Sequence, residues 1–557
     1  MHIKGEKVRK LRVGILLGPG GVPRWAVEML EQIRDSDYAC LSLLVEGNGH
    51  PEMKDVFSRF NQALYLWYLR LDRKRCKPSP DALAQCDTRQ IFPETALIEA
   101  QPIRQDLSCT FTDVDVEKII GCDLDILVNL GFRRLRGRIL HAARYGTWTF
   151  QPGEAYPCQG GPVGFWEVYD SRPETILSLH VLHGDEEGDI QICRIHTATD
   201  YISVTRNENK LLWIASALLP RKIRELHALG EKVFFEKVRR ENNEEPAASR
   251  KPSAIPKGYQ TLRLLFKTTR SHFAKKIWKR IGLKQWILMY SFNNQGMPPF
   301  DLEHYHPIIP PKDRFWADPH VIQKDGIYYI FIEEFIYRRV KGHISCLTID
   351  QAGNFTPPRP VITQPYHLSY PFVFCHQDKY FMIPETSENR TIELYECIQF
   401  PDHWERVKVL MDNLWAVDAT LHQKDGLWWL FTNIRQHEGT SDWDDLYLFS
   451  APDLFSTNWR PHPMNPVVSD VRSARPAGRL FSHQERLYRP SQDSSRRYGY
   501  RIRINQVLTL NESEYEEICV GVIEPPAGHK FLAAHTVNSA GDLTVIDSAI
   551  MRFNLIH

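Results

Sequence analysis

Two aspartates, Asp318 and Asp418, stand at matching places in two similar stretches of the chain. Asp318 lies in FWADPHVIQKDGIYYIFIEE and Asp418 lies in LWAVDATLHQKDGLWWLFTN, so each residue precedes an apolar strand, a Lys-Asp-Gly turn and a second strand. Two carboxyl groups beside a bound sugar can break or transfer a glycosidic bond, because one accepts a proton and the other donates one. We therefore expect both aspartates to face one catalytic site.

Four cationic residues lie at the start or in the second strand of similar strand-turn-strand stretches: Arg475, Arg479, Arg489 and His535. Arginine binds carboxylate or phosphate through a planar fork, so converging arginines predict an anionic substrate. The alternative is that these cations neutralise nearby aspartates in structural ion pairs. Trp316 and Tyr370 border the same sites, and we expect their rings either to stack on a sugar or to fill the ends of the strands.

The strand-turn-strand pattern around Asp318 recurs through the C-terminal half of the chain. Weaker copies, each with a polar turn between two strands, lie at 370–384, 474–488 and 531–546. Repeats of roughly 40 to 60 residues built from short strands are typical of propellers, whose blades are four-stranded sheets around a channel. Five openings predict an all-β five-bladed propeller over residues 285–557, and a β-sandwich with chance hairpin similarity is the alternative.

The same motifs resemble two carbohydrate-active families. FWADPHV with its following Asp-Gly hairpin is similar to five-bladed glycosidases of the arabinanase and β-xylosidase type. The run RPSQDSSRRYGYRIRINQVLTL, with ARPAGRLF before it and GHKFLAAHT after it, resembles the N-terminal domain of glucosamine inositolphosphorylceramide transferases. In the glycosidases the first-blade Asp is the base, and the third-blade Asp orients and tunes an acid supplied by a Glu of the next blade. The resemblance implies these two roles for Asp318 and Asp418.

This chain departs from the glycosidase pattern at the proton donor. The stretch SARPAGRLF, where the acid would stand, contains two arginines and no Glu. Glu385, in MIPET at the end of the second blade's inner hairpin, is the best substitute, although a Glu after a Pro also suits a surface turn. A missing acid favours the alternative function, which is a noncatalytic glycan or lipid-headgroup binding protein of surface polysaccharide biosynthesis.

Residues 1–235 predict a separate α/β domain. Strands at 12–17, 38–45 and 125–130 alternate with helices such as 25–33, which is the pattern of a mostly parallel sheet with helices on both faces. The glycines of the first loop lack the spacing of a dinucleotide-binding fingerprint, so we expect no such cofactor.

This domain resembles the formyltransferase domain of methionyl-tRNA and sugar formyltransferases, through DLDILVNLGFRRLRGRILHAARYGTWTFQPGEAYPCQGGPVGFWEV and GDEEGDI. In that family an Asn and a His stabilise the oxyanion and an Asp manages the proton. Here Thr149 stands at the Asn position, Gln151 at the His position and Glu186 at the Asp position. Gln151 cannot titrate near neutrality, so the resemblance implies an inactive scaffold, with a changed acyl-transfer or ligand-sensing role as the alternatives.

Residues 236–284 indicate a linker and then a basic amphipathic helix. The part from 262 to 284 mixes large apolar residues with Lys and Arg, which predicts peripheral contact with an anionic membrane. A helix packed on the propeller with a solvated basic face is the alternative.

Composition limits the remaining classes. The 557 residues exceed what one hydrophobic core holds, so a multidomain chain is expected. A net charge of +1 gives no argument for a nucleic-acid partner. The 11 Cys lack CxxC pairs, which indicates reduced thiols in the cytoplasm and argues against zinc. We expect no metal and no cofactor.

Overall fold

The computed structural model describes residues 9–18, 21–47, 56–87, 91–105, 108–132, 135–152, 163–183, 188–244, 256–292, 296–525 and 530–553. The chain divides into two compact units. One unit comprises Met1–His272 with Glu438–Thr440, and the other comprises Phe273–His437 with Ser441–His557. We call them the α/β unit and the propeller unit.

The α/β unit alternates strands and helices along the chain. Its strands are β1 Leu11–Leu17, β2 Val22–Pro23, β3 Ala39–Gly47, β4 Gln85–Cys86, β5 Ala96–Ala100, β6 Ile103–Gln105, β7 Ser108–Thr110, β8 Ile126–Asn129, β9 Thr147–Pro152, β10 Glu174–Leu182 and β11 Ile190–Ala198. The helices are α1 Arg24–Arg34, α2 Val56–Cys76, α3 Asp113–Ile120, α4 Phe165–Asp170 and α5 Val204–Glu244, and a 3-10 turn spans Arg138–His141. Helix α6 Gly258–Ile281 begins in this unit, and its residues from Phe273 onward belong to the propeller unit.

Seven of these strands form one mixed sheet in the order β11-β10-β9-β8-β1-β3-β5. The pairs from β9 through β5 are parallel, and β10 and β11 are antiparallel to their neighbours. Strand β1 reads LRVGILL and is buried along most of its length because helices cover both faces of a parallel sheet. The strands and the helix predicted near the N-terminus are present within two residues of their predicted ends.

Two boundaries differ from the prediction. Helix α5 continues to Glu244, so residues 236–244 are helical, whereas the sequence predicts a linker there. Its backbone is interrupted at Gly230, where φ is 74° and ψ is 165°. Helix α6 ends at Ile281 and a strand begins at Gly282. The observed helix therefore ends three residues before the predicted end at residue 284.

The propeller unit consists of five antiparallel sheets, its blades. The chain enters through β12 Gly282–Phe292 and β13 His306–Ile308. Blade 1 holds β14 Arg314–Lys324, β15 Ile327–Ile336, β16 Lys341–Ile349 and β17 Arg359–Ile362; blade 2 holds β18 Ser369–His376, β19 Lys379–Thr386, β20 Thr391–Gln399 and β21 His403–Asp412. Blade 3 holds β22 Trp415–Lys424, β23 Leu427–Arg435, β24 Asp445–Ala451, β25 Arg460–Pro461 and β26 Val468–Ser469. Blade 4 holds β27 Phe481–His483, β28 Arg486–Asp493, β29 Arg501–Leu510 and β30 Tyr515–Ile523; blade 5 holds β31 Phe531–Ala533, β32 Val537–Ala540 and β33 Leu543–Phe553 with β12 and β13.

The two ends of the propeller sequence close the ring. Strand β12 pairs antiparallel with β33 from Gly282↔Phe553 to Phe292↔Leu543, so blade 5 combines the start and the end of the unit. Each pair of neighbouring blades, including blades 5 and 1, shares a cluster of buried apolar side chains. The predicted five-bladed propeller is confirmed.

The inner hairpins are set by their turn residues. Asp325 and Gly326 have φ of 50° and 76°, and Asp425 and Gly426 have φ of 53° and 78°. Positive φ at both central residues defines the type I′ turn that suits two-residue hairpins and favours Asp-Gly. The short 3-10 helices Leu302–His304 and Ser387–Asn389 lie between strands. In the part of the chain that is described, no helix has both the length and the apolar character to cross a membrane.

Candidate active site

Three blades share a bulge near the start of their first strand. Asp318, Tyr370 and Asp418 occupy it with φ of 52°, 41° and 53°. At each bulge the register with the second strand shifts, which turns the local backbone out of the regular ladder. Asp tolerates the left-handed conformation better than most residues. The repeat therefore places Asp318 and Asp418 at equivalent points of blades 1 and 3, as predicted from their matching sequences.

The second strands contribute a further equivalent position. Glu333 lies opposite Ala317 in blade 1, and Glu385 lies opposite Ser369 in blade 2, each next to the bulge. Asn433 holds this place in blade 3. Glu385 is thus a member of the repeat rather than a residue of a surface turn.

One cavity of about 270 Å³ collects residues from blades 1, 2, 4 and 5. Its lining residues are Trp286, Phe315, Ala317, Asp318, Glu333, Phe335, His367, Ser369, Glu385, Arg475, Tyr498 and His535. Four of the predicted site residues are among them: Asp318, Glu385, Arg475 and His535. The volume lies just below the range of about 300–1,000 Å³ that is typical of ligand pockets.

Asp318 belongs to a buried Asp-His-Asp chain. His535 Nε2 lies 3.3 Å from Asp318 Oδ1, and its Nδ1 lies 2.6 Å from Asp547 Oδ2. Asp547 also accepts hydrogen bonds from the backbone N–H groups of Asp318, His535 and Thr536, at 2.9, 3.1 and 2.9 Å. Burial disfavours a charged imidazole, but the two carboxylates outweigh it and raise the pKa of His535. His535 is therefore a partner of Asp318 and not a free cation for a substrate.

The same three side chains are the group that could share a metal ion among the described residues, since each offers a ligand atom within 4.8 Å of the others. Their oxygen and nitrogen atoms already pair with one another and with backbone N–H groups. His535 contacts both carboxylates at ion-pair distance, and its Nδ1 has no hydrogen bond of regular geometry among the described residues.

Arg475 connects Asp418 to Glu385. Its Nε donates to Asp418 Oδ2 at 2.6 Å, and an Nη lies 3.8 Å from Glu385 Oε2. Gln492 also donates to Asp418, at 2.9 Å. Asp418 is only 2% exposed and lies behind the cavity wall. Asp418 therefore acts on the cavity indirectly, through its contact with Arg475 and its electrostatic effect on Glu385.

Burial raises the pKa of the acidic groups that line the cavity. Burial raises the pKa of Asp318 to about 6, with His535 lowering it and Asp547 and Asp418 raising it further. Burial and then the charge of Asp418 hold the pKa of Glu385 well above its usual value, against the opposing effect of Arg475. Burial thus raises the pKa of both carboxyl groups, and the value of about 6 leaves Asp318 mostly ionised near neutral pH.

Four other predicted binding residues lie outside the cavity lining. Trp316 donates its indole N–H to Glu334 at 3.2 Å, inside the apolar core. The Tyr370 hydroxyl pairs with Thr420 at 2.8 Å and accepts from the N–H of Gly478 at 2.8 Å. These two rings therefore fill the blades, which is the alternative that the sequence left open.

Two of the arginines are also held by protein groups. Arg489 is fully buried and donates to Glu517 Oε1 at 2.6 Å and to the carbonyl of Ser473 at 2.6 Å. Arg479 donates to the carbonyl of Val373. Arg475 is paired as well, so the arginines do not converge on the cavity as free cations. Arg475 and Arg489 thus form ion pairs with Asp418 and Glu517, whereas the partner of Arg479 is a backbone carbonyl.

Sequence reasoning missed several lining residues. Glu333 is buried and lies 3.3 Å from His367, and burial with the charges of Asp318 and Glu385 raises its pKa well above the usual value. Phe315 and Phe335 stack in parallel with centroids 4.9 Å apart. Aligning IFIEE with MIPET after their hairpins would have identified Glu333 as the counterpart of Glu385. Nothing local in the sequence marks Asp547 or Tyr498.

In the α/β unit the predicted degenerate site lies on β9. Thr149 is opposite His180 of β10 and beside Asn129 of β8, whose amide lies 3.5 Å from the Thr149 hydroxyl. Gln151 is buried opposite Ser178. Burial lowers the pKa of His180 to about 4, so this imidazole is neutral. Glu186 lies outside the described residues.

Similarity to known proteins is clearest in the propeller. The family model for glucosamine inositolphosphorylceramide transferase 1, N-terminal, matches residues 310–531. A glucosamine inositolphosphorylceramide transferase 1 of Oryza sativa subsp. japonica is 30% identical over 246 residues, which cover 42% of this chain and 33% of the relative. The chain thus spans about a third of the length of this relative. The resemblance predicted for this part of the chain is confirmed.

Solved structures show weaker similarity. A family 117 glycoside hydrolase of the marine bacterium Zobellia galactanivorans has 11% identity and a TM-score of 0.33, with 48% of this chain and 91% of that chain covered. A glycinamide ribonucleotide transformylase 1 of Symbiobacterium toebii has 14% identity and a TM-score of 0.26, with 39% and 88% covered. At these scores neither adds to what the strand order shows, and the formyltransferase resemblance stays a prediction.

Proposed function

We propose that the propeller acts on a glycosidic bond of a glycan or glycolipid bound in the cavity beside Asp318 and Glu385. The observation that carries this proposal is the presence of both carboxyl groups in the lining of one cavity, at or next to the bulges of blades 1 and 2. Glycoside chemistry needs one ionised carboxylate and one protonated carboxyl near the same bond. A pKa of about 6 suits Asp318 as the base, and the upward direction of the Glu385 pKa suits a proton donor.

The surroundings of each group suit its proposed role. Asp318 Oδ1 accepts from the hydroxyl of Thr536 at 2.9 Å and Oδ2 accepts from the N–H of Tyr370 at 3.2 Å, which fixes the carboxylate in place. Glu385 Oε1 accepts from the hydroxyl of Ser387 at 2.9 Å, and its Oε2 is buried without a hydrogen-bond partner among the described residues. A side-chain hydrogen bond with Asp418 contributes to the raised pKa of Glu385, so a substrate oxygen would replace Asp418 as the acceptor of this proton. Asp418 tunes this acid through Arg475.

The acidic lining of the cavity limits the charge of the substrate that can bind there. Asp318, Glu333 and Glu385 line it, whereas its one arginine is held by Asp418. We propose that the sugar in the cavity is uncharged and that any anionic part of the substrate stays outside. The curated relatives are named for glucosamine and inositolphosphorylceramide, so glycolipids with an inositol phosphate are the first substrates to test.

The test is product release from a panel of bacterial surface glycans and lipid-linked sugars. Asp318→Asn and Glu385→Gln should each lower turnover by at least about 100-fold, because both remove a proton-transfer group and keep its shape. Asp418→Asn should be milder, roughly tenfold, since it changes only the tuning of the acid. Asp325→Asn, at an exposed hairpin turn, is the matched control and should turn over normally.

Binding measured by calorimetry separates catalysis from recognition. The Asn and Gln variants should keep most of the affinity of the unchanged protein. Full activity of Asp318→Asn would refute the catalytic roles. If the unchanged protein binds a ligand and never forms product, the propeller is a noncatalytic glycan or lipid-headgroup binding module. The Arg475 contact with Glu385 favours this alternative, because a nearby cation disfavours the protonated form of the Glu385 carboxyl group.

A further inference from the structure

Helix α6 exposes an apolar stripe to solvent. Tyr259, Leu262, Phe266, Phe273 and Ile277 are 63%, 53%, 72%, 65% and 54% exposed. Their spacings of three, four, seven and four residues place all five on one face of an α-helix. Five large apolar side chains in one exposed row differ from the single exposed apolar residues that are normal on a protein surface.

The opposite face of the helix already has its packing partners. Thr261, Leu264 and Thr268 are buried, and Leu264 joins a cluster with Tyr65 and Phe165. The N–H of Gly258 donates to Asn61, and Lys267 donates to two backbone carbonyls of α4, at 2.6 and 2.8 Å. The exposed stripe is therefore not the face that anchors the helix to the protein.

The charge of the helix identifies the kind of surface that would cover the stripe. From Gly258 to Ile281 the helix contains seven Lys and Arg and no Asp or Glu. Exposed Arg263 and Arg270 lie along one side of the stripe, and exposed Lys276 lies along the other. Apolar side chains flanked by cations match an anionic bilayer surface, where the former enter the acyl boundary and the latter meet lipid phosphates.

We propose that α6 is a membrane-binding helix that lies on anionic lipid through the stripe from Tyr259 to Ile277. The proposal is independent of the propeller's activity. It differs from a helix with a solvated basic face, because the residues that face solvent are apolar as well as basic.

The experiment is cosedimentation of the full chain with vesicles of phosphatidylcholine alone or mixed with phosphatidylserine. Binding should require phosphatidylserine and should weaken as the screening length falls from about 30 Å at 0.01 M salt to about 8 Å at 0.15 M. Phe266→Ser with Phe273→Ser should lower the partition coefficient at least about tenfold. Arg270→Gln with Lys276→Gln should lower it roughly tenfold or more at low salt.

The matched control is Ile398→Ser with Ile518→Ser, which removes two 54%-exposed apolar side chains from outer blade strands. It should bind like the unchanged protein. Equal binding to both kinds of vesicle, or binding unaffected by the stripe variants, would overturn the proposal. So would absent vesicle binding together with self-association that Phe266→Ser and Phe273→Ser abolish, because the stripe would then join two copies of the chain. The charge variant leaves every apolar contact intact, so it tests the proposal even if the Ser variant folds poorly.

Discussion

Replacing Asp318 by Asn should stabilise the propeller at neutral pH even though it should stop turnover. The carboxyl group is buried, and its pKa of about 6 exceeds the usual 3.8. Asn keeps the shape, the acceptor oxygen and the tolerance of a positive φ, but it never has to carry a buried charge. The substitution therefore removes an electrostatic cost and one acceptor, because the amide oxygen can keep the N–H of Tyr370 while the Thr536 hydroxyl has to turn and accept from the new NH2 group.

The size and sign of the effect follow from linkage. Because the folded-state pKa is raised, the unfolded chain gives up the Asp318 proton at lower pH than the folded chain. The stability contributed by the protonated carboxyl is complete below pH 3.8 and is lost as the pH rises to about 6. A difference of about two pKa units corresponds to about 3 kcal/mol. Asp318→Asn should be more stable than the unchanged protein by up to that amount above pH 7, and the gain should vanish near pH 4.

Hydrogen exchange of the full chain, followed by mass spectrometry on peptides from β14 and β15, measures the opening free energy of this blade separately from the α/β unit. The comparison is made at several pH values between 4 and 8. Asp325→Asn serves as the control, since its side chain is in an exposed turn and should not change the pH dependence. A loss of stability in Asp318→Asn at pH 7.5 would refute the reasoning, because it would mean that the ion pair with His535 stabilises the fold by more than burial of the charge costs.

Two further predictions concern residues whose roles the structure narrows. Arg489→Met should destabilise the propeller by about 3–5 kcal/mol in urea unfolding, because it leaves Glu517 buried without a cation. The double variant Arg489→Met with Glu517→Leu should recover most of this loss. A single variant that stays stable but binds glycan more weakly would instead assign Arg489 to the substrate. The α/β unit should not transfer formyl groups from formyl-tetrahydrofolate to amino-sugar nucleotides, since Thr149 lacks an amide donor and Gln151 cannot titrate; turnover that disappears in Gln151→Ala would contradict this.

Much of the propeller could be predicted because its signals are local and repeated. A Lys-Asp-Gly turn fixes a two-residue hairpin, and alternating apolar residues fix which strands are buried, so two clear copies suffice to predict the repeat. The equivalence of Asp318 and Asp418 follows from the same repeat. Glu385 could be singled out only as a substitute for a missing acid, although its position opposite Ser369 shows that it too belongs to the repeat.

The partners of these residues could not be predicted, because ring closure brings together side chains that are distant in sequence. Asp547 accepts the N–H of Asp318 from 229 residues away. Arg475 and Asp418 are 57 residues apart. No periodicity encodes such pairs, so the sequence could not distinguish an arginine that binds substrate from one that holds a carboxylate.

The pairing of Arg475 bears directly on where a proton donor could come from. The sequence resemblance to glycosidases implies a Glu in the blade after Asp418, but here Arg475 stands there and binds Asp418. The charge of Arg475 lowers the pKa of a neighbouring carboxyl group. For Glu385, burial and the charge of Asp418 outweigh this effect and raise the pKa. If Glu385 is the acid, Arg475→Met should raise its pKa still further and shift the alkaline limb of the pH–rate profile upward, because the opposing cation is gone. An unchanged alkaline limb would mean that another group, of which Glu333 is the nearest equivalent in the repeat, donates the proton.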